Sequence, residues 1–262
     1  MLRAFFISLF LIFFLKLSAQ EDLLARNYMQ QGAYEKAAIL YEGLVEKTPG
    51  NTSLVNSLVE AYQQLEQYDK AQEVLLKTLA LSKSLAFLKV DLGYNYQLQS
   101  RDTEAQKLYT EILDQVRENP PLANMVGRSF KNYSLLDQAA TAYTIAKEAG
   151  LNSIYLNVEL ARIYGEQGKI EQMFDAYINL ILENDRYQSL AQRSFNDFIT
   201  EDAENEANQI FRKLLLKRLQ EDPNLLYNRL LSWLFIQQQE YNKAFIQEKA
   251  IARRNNNLNG VF

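Results

Sequence analysis

The sequence offers few side-chain types that could perform chemistry. Its 262 residues include no cysteine and no histidine, which excludes disulfides, thiol nucleophiles, Cys/His zinc sites and imidazole acid–base catalysis. Catalysis would need paired carboxylates or a Ser/Lys arrangement in a cleft. The densest acidic run, Glu201 to Glu206, falls where we expect a helix to begin, and acids there favour the helix dipole. We therefore predict no catalytic residue, no metal site and no cofactor.

The charge balance argues against one class of partner. The chain has 28 Lys plus Arg against 32 Asp plus Glu, for a formal net charge of −4. Nucleic-acid binding needs a cationic surplus to neutralise phosphates. We therefore predict no nucleic-acid partner.

The composition and the first residues indicate an exported, helical protein. Only 9 Gly and 4 Pro occur, and the interior is rich in strong helix formers. The apolar run Ala4–Leu15 follows Arg3 and is too short to span a bilayer, but it suits a signal peptide with cleavage after Ala19. We predict a signal peptide over residues 1–19 and a periplasmic or cell-envelope location. An uncleaved N-terminal anchor, which would be the chain's only link to a membrane, is the alternative.

A repeat of 34 residues organises the rest of the chain. Three columns of similar residues recur at this step through six units, which is the signature of a repeat architecture. The small-residue column reads Ala37, Ala71, Ala105, Ala139, Met173 and Ala207; the aromatic columns read Tyr28, Tyr62, Tyr96, Phe130, Tyr164 and Phe198, and Tyr41, Leu75, Tyr109, Tyr143, Tyr177 and Phe211. A seventh unit follows after about three extra residues near Glu221–Asn224.

These columns resemble those of the tetratricopeptide repeat family. The resemblance implies an all-α fold, an α-solenoid of about seven stacked antiparallel helix pairs that form a right-handed superhelix. We place five in-phase units in residues 20–187, two degenerate units in 188–258 and a disordered tail in 259–262. Small residues let paired helices approach closely, so we expect Gly93 and Gly127 to face Ala105 and Ala139. We expect left-handed caps at Gly32 and Gly168.

The resemblance also implies a concave binding face on the first helix of each pair. Exposed aromatics, amides and arginines are frequent anchors of protein recognition. A basic stretch of Arg128, Lys131 and Arg162 would favour an acidic or extended peptide; packing of the aromatics on neighbouring helices and simple solvation of the charges remain open as alternatives. The residues predicted to bind a partner are Arg26, Asn56, Gln63, Tyr94, Gln97, Arg128, Lys131, Tyr155, Arg162 and Trp233. The lysine–asparagine pair of the family's carboxylate clamp is absent.

The final repeat raises the question of self-association. A terminal repeat has no neighbour to cover an apolar face, yet its last helix carries Tyr241, Ala244, Phe245, Ile246, Ala250 and Ile251. This stripe could pack entirely back on the sixth unit, but we favour a longer array or capping by a second copy. We therefore predict a non-enzymatic envelope adaptor that binds a protein or extended peptide. The alternative is the recognition part of an enzyme or sensor system whose catalytic portion lies elsewhere.

Overall fold

The chain forms two compact helical units. The computed structural model describes residues 19–151 and 153–254, and the chain divides into residues 1–149 (unit 1) and 150–262 (unit 2). The predicted signal peptide and the predicted tail lie outside the described residues, apart from residue 19. Every regular element in the described ranges is a helix, which confirms the predicted all-α helical-repeat fold.

The described residues of unit 1 form four helix pairs. The first helix, α1, is helical from residue 19 to residue 30. Short 3₁₀ turns at Lys83–Leu88 and Pro120–Leu122 lead into the first helices of the third and fourth pairs. The other helices are α2 (Tyr34–Lys47), α3 (Thr52–Gln64), α4 (Tyr68–Leu79), α5 (Lys89–Gln97), α6 (Asp102–Glu118), α7 (Ala123–Asn132) and α8 (Leu136–Glu148).

Unit 2 contains three further helix pairs. A 3₁₀ turn at Asp185–Tyr187 precedes the second pair. The helices are α9 (Ile154–Glu166), α10 (Ile170–Glu183), α11 (Gln188–Phe195), α12 (Glu206–Glu221), α13 (Leu225–Gln237) and α14 (Tyr241–Arg254). The predicted acidic run ends at the first residue of α12, Glu206, whose first turn is capped by the side chain of Asn205.

Two of the three repeat columns, the small-residue column and the second aromatic column, supply core residues in both units. The small-residue column is fully buried at Ala37, Ala71, Ala105 and Ala139, and Met173 is 2% exposed. The second aromatic column is buried along its whole length, from Tyr41 to Phe211. One helical hairpin cannot bury its own apolar face, so these side chains are covered by neighbouring hairpins. The 34-residue periodicity is thus a periodicity of core packing.

The turn within each pair follows the same step. Gly32 and Gly168 both have a φ of 70°, which confirms the predicted left-handed caps. The equivalent positions in the pairs between them, Glu66, Ser100 and Ser134, also have positive φ, between 56° and 58°. The sequence does not predict the left-handed conformation of these three residues, because glycine is the residue type that indicates it most clearly. The repeat imposes this backbone conformation even where the side chain makes it costly.

The close approach of paired helices differs in detail from the prediction. A Cβ atom added at Gly93 would overlap the ring of Tyr109, and one at Gly127 would overlap the ring of Tyr143. The expectation that these glycines face Ala105 and Ala139 was therefore wrong about the nearest neighbour. Each glycine makes room for the ring of the tyrosine one helical turn beyond the alanine.

The second pair of unit 2 departs from the repeat. Its first helix, α11, stops at Phe195, and a loop runs to Asn205. The fully buried Asn208 holds this loop: its Oδ1 accepts from the Thr200 amide at 3.1 Å, and its Nδ2 donates to the carbonyls of Thr200 and Asp202 at 2.8 and 2.7 Å. The next helix, α12, continues to Glu221, where the extra residues were expected.

Candidate functional site

The first helices of unit 1 form a layer that contains several of the predicted binding residues. The Gln63 amide on α3 donates from Nε2 to Oδ1 of Asn95 on α5 at 3.3 Å. The Tyr133 hydroxyl, just after α7, donates to Oδ1 of Asp91 on α5 at 2.7 Å. These bonds join α3, α5 and α7 side by side. We call the layer's surface the α3–α5–α7 face; its partly exposed residues are Gln63, Tyr94, Gln97 and Tyr133. Tyr133 and Gln63 are hydrogen-bonded to Asp91 and Asn95, which are buried.

A stacked tyrosine pair lies at the centre of this face. The rings of Tyr94 and Tyr133 are 4.0 Å apart between centroids and inclined by only 17°. Both side chains are partly exposed. Tyr94 lies in the second turn of the short helix α5, and Tyr133 comes directly after α7 and directly before the left-handed Ser134. The turn therefore aims Tyr133 back at α5.

The acid beneath the pair is almost completely buried. Asp91 is 2% exposed, and its second oxygen, Oδ2, has no hydrogen-bond partner among the described residues. Burial raises the pKa of Asp91 to about 6, although hydrogen bonds from Tyr133 and from the backbone act in the opposite direction. Burial, followed by the neighbouring Asp91 carboxylate, also raises the pKa of Tyr133, so its hydroxyl stays protonated and remains a donor.

The amides of the face are held by hydrogen bonds of their own. Asn95 is fully buried and donates from Nδ2 to the carbonyl oxygen of Tyr68 at 3.0 Å. The Gln97 side chain accepts from the Tyr109 hydroxyl at 2.8 Å. Gln63 and Gln97 are themselves half-buried. The polar groups that remain exposed on this face are thus fixed before any partner arrives, which lowers the entropy cost of binding.

The remaining predicted residues of unit 1 lie around this face or on other helices. Arg26 on α1 is exposed and forms an ion pair with Asp22, with 2.9 Å between Nη2 and Oδ2. Asn56 on α3 is half-buried, and its Oδ1 has no hydrogen-bond partner among the described residues. Arg128 and Lys131 both lie on α7, and each has an interaction of its own.

Three predicted residues belong to unit 2. Tyr155 is exposed near the start of α9. Arg162 donates to Oε1 of Glu159 at 3.1 Å. Trp233 is half-buried on α13, with its ring 6.0 Å from Phe195 and 6.2 Å from Phe211 between centroids, so it covers neighbouring core aromatics. The predicted basic stretch is accordingly divided between the two units.

Sequence reasoning missed Asp91 and Tyr133. A signal for Asp91 exists: it is the one acid in the otherwise mostly apolar stretch from Phe87 to Gly93. Tyr133 carries no such signal, because its place in the repeat is occupied by leucine in one unit, Leu65, and by glutamine in others. Its role depends on the turn that ends α7, which only the structure shows.

Within residues 19–151 and 153–254, no group of three or more carboxylates is arranged to hold a metal ion. In the same residues no helix combines the length and apolar character needed to cross a membrane. The loop before α12 uses its acids in local turns, such as the Asp202 carboxylate that accepts from the Glu204 amide at 2.9 Å.

The fold and its recurring core define the class as a helical-hairpin repeat protein, and part of the chain matches a known repeat family. Residues 24–82 match the tetratricopeptide repeat family. The chain is 25% identical over 179 residues to the TPR repeat-containing protein MJ1428 of Methanocaldococcus jannaschii, covering 66% of this chain and 31% of that protein. The tetratricopeptide repeat predicted from the sequence columns is thus confirmed in residues 24–82.

A second relative and two solved structures show lower coverage or similarity. The BBSome complex member BBS4 of Bos taurus is 32% identical over 108 residues, or 41% of this chain and 21% of that protein. The chain thus spans less than a third of the length of these two relatives. A thermophilic TPR protein of Thermus thermophilus, TTC0263, has a TM-score of 0.37 at 18% identity, covering 67% of this chain and 96% of its own. YrrB, a TPR protein with an unusual peptide-binding site, has a TM-score of 0.34 at 14% identity, covering 67% and 90%.

Proposed function

We propose that the protein is a non-catalytic adaptor that binds another protein, through an extended segment of it, on the α3–α5–α7 face. Tetratricopeptide-repeat proteins bind protein partners in general and are typically non-catalytic scaffolds. The observation that carries the proposal here is the stacked, partly exposed Tyr94–Tyr133 pair, bordered by the fixed amides of Gln63 and Gln97. Rigid tyrosines beside positioned amides supply contact area and hydrogen bonds at low entropy cost.

Substitution of Tyr94 tests this surface. The partner would first be captured from an envelope extract of the source organism, then purified, and its affinity measured for wild type and for Tyr94→Ala. We expect Tyr94→Ala to weaken binding by tenfold or more, since hot-spot aromatics each contribute about 1–2 kcal/mol or more. Tyr241→Ala is the matched control, because Tyr241 is also an exposed tyrosine, 64% exposed on α14.

The two variants separate the outcomes. Retained affinity in Tyr94→Ala, with an unchanged helical circular-dichroism spectrum, would reject the α3–α5–α7 face as the binding surface. Loss of affinity in Tyr241→Ala alone would move the site to α14. Neither result would alter the match of residues 24–82 to the tetratricopeptide repeat family.

We also propose that the protein is exported and acts in the cell envelope. The support is the sequence of residues 1–19, with Arg3, the apolar run Ala4–Leu15 and Ala19. N-terminal sequencing of the protein from fractionated cells should find Gln20 as the first residue in the envelope fraction. A cytoplasmic protein that still begins at Met1 would contradict export.

Self-association is a second candidate function, favoured by one observation on α14. Tyr241, Phe245 and Ile246 are 64%, 50% and 61% exposed and share one stretch of this helix. A contiguous exposed apolar patch commonly marks an interface. Sedimentation velocity should show a concentration-dependent dimer that Phe245→Glu abolishes. A monomer at all concentrations would reject the idea.

A further inference from the structure

The carboxyl group of Asp91 lies in an unusual environment for an acid. It is 2% exposed, and one oxygen accepts the Tyr133 hydroxyl while the other has no partner in the described part of the chain. A buried carboxylate is normally compensated by a cation or by several donors. Here the hydrogen bond is from a neutral phenol. The ionised Asp91 carboxylate is therefore poorly compensated, and burial favours the neutral carboxyl.

The ionisable groups of the packed elements do not compensate the charge of Asp91, whose pKa is shifted by burial, the Tyr133 hydroxyl and the backbone. On α5 the cation Lys89 pairs with Glu111, and on α4, beside the acid Asp69, Lys70 lies over the Tyr62 ring. On α3, Glu60 acts on Tyr133 as a further negative charge. On α5 and α6, Tyr94 and Tyr109 are phenols, and Asp102 at the start of α6 is another acid near Tyr109. The cations on α7, Arg128 and Lys131, have interactions of their own. Burial is the largest influence on the Asp91 carboxyl.

The position of Asp91 couples its charge to helix packing. Its hydrogen bond joins α5 to the residue that ends α7, and the same Tyr133 ring stacks on Tyr94 of α5. We propose that Asp91 is a proton-sensitive latch between α5 and α7: the neutral carboxyl keeps the two helices closely packed, whereas ionisation opens this packing, because the cost of burying the charge exceeds the gain from a stronger Tyr133 hydrogen bond. No partner is needed for this, so it goes beyond the adaptor function and does not depend on it.

The direction of the pH effect follows from linkage. Burial raises the folded-state pKa of Asp91 from 3.8 to about 6. The folded protein therefore holds this proton more tightly than the unfolded chain, and the stabilisation is complete below about pH 4 and lost as the pH rises through about 6. Between those limits the unfolding equilibrium constant should increase about a hundredfold from this group alone.

The direct test follows the Asp91 carboxyl carbon by NMR in the full-length protein from about pH 4 to about pH 8. We expect a titration midpoint near 6 in wild type. Tyr133→Phe should raise the midpoint further, because the hydroxyl favours the charged form. A wild-type midpoint at or below about 4.5 would overturn the latch, since it would show an ordinary, solvated or paired carboxylate.

A second test measures the consequence for packing. The ratio of the wild-type unfolding constant to that of Asp91→Asn should rise about a hundredfold between pH 4 and pH 7.5, while amides of α7 and α8 exchange hydrogen more readily at the higher pH after correction for intrinsic rates. Asp69→Asn removes an exposed acid from the first turn of α4 and serves as the matched control. A ratio that is flat with pH for Asp91→Asn, as expected for Asp69→Asn, would overturn the proposal.

Discussion

At the scale of single residues, the left-handed turn positions show how the repeat constrains the backbone. Gly32 has a φ of 70°, with open space around the site of a Cβ atom. Gly43 lies inside α2, also with open space. The two glycines therefore differ in backbone conformation and not in crowding.

Alanine at these two glycines should have opposite effects. Gly32→Ala should lower the free energy of unfolding by about 1–2 kcal/mol, because alanine is strained at positive φ. Gly43→Ala should raise it by about 0.5–1 kcal/mol, because glycine weakens a helix interior. Urea unfolding of both variants checks this. Equal effects of the same sign would contradict the assigned conformations.

The buried Asn208 is a second residue, and we attribute its contribution to stability to its hydrogen bonds. Its side chain satisfies three backbone groups of Thr200 and Asp202 in a loop that has no helix of its own. Asn208→Ala leaves these groups unpaired, and we expect a loss of about 2–4 kcal/mol in unfolding free energy. Asn242→Ala, at an exposed position of α14, should change it by less than about 0.5 kcal/mol. Similar losses in both would reject the role of Asn208.

At the scale of helices, the close crossing of α5 and α6 depends on the absence of a side chain at Gly93. Gly93→Ala should cost about 1–3 kcal/mol, because the new methyl group would overlap the Tyr109 ring. Gly165 in α9 is the matched control. A Cβ there would come no closer than 3.4 Å to the Met173 sulfur, which is an ordinary van der Waals contact. Thermal unfolding monitored by circular dichroism should show a clear decrease in Tm for the first variant alone. A tolerated Gly93→Ala would contradict the crossing.

The helix pairs also show where sequence reasoning succeeds and where it stops. The columns through Ala37 and Tyr41 predicted the pairs because a repeated core side chain produces a repeated sequence. The residue facing Gly93 was predicted to be Ala105, but the nearest side chain is Tyr109, since spacing along a helix does not say how far a ring extends. The latch residues Asp91 and Tyr133 are 42 positions apart. They meet because of the turn that follows α7, and neither residue belongs to a repeat column.

At the scale of the whole molecule, a change in one hairpin of a repeat protein has little effect on the stability of distant hairpins. Each repeat contacts mainly its neighbours, so stability is close to a sum of local terms. Gly93 lies in unit 1 and Asn208 in unit 2. If unfolding remains a single transition, the losses from Gly93→Ala and Asn208→Ala should add within about 0.5 kcal/mol in the double variant. A larger deviation would reveal coupling that the separate cores do not account for.

The α3–α5–α7 face of unit 1 is the surface that we propose binds a protein partner. The measurement that tests it most directly is isothermal titration calorimetry of the purified partner against wild type, Tyr94→Ala and Tyr241→Ala. We predict that Tyr94→Ala weakens binding at least tenfold, while Tyr241→Ala matches wild type. Equal affinities of wild type and a correctly folded Tyr94→Ala would contradict the claim.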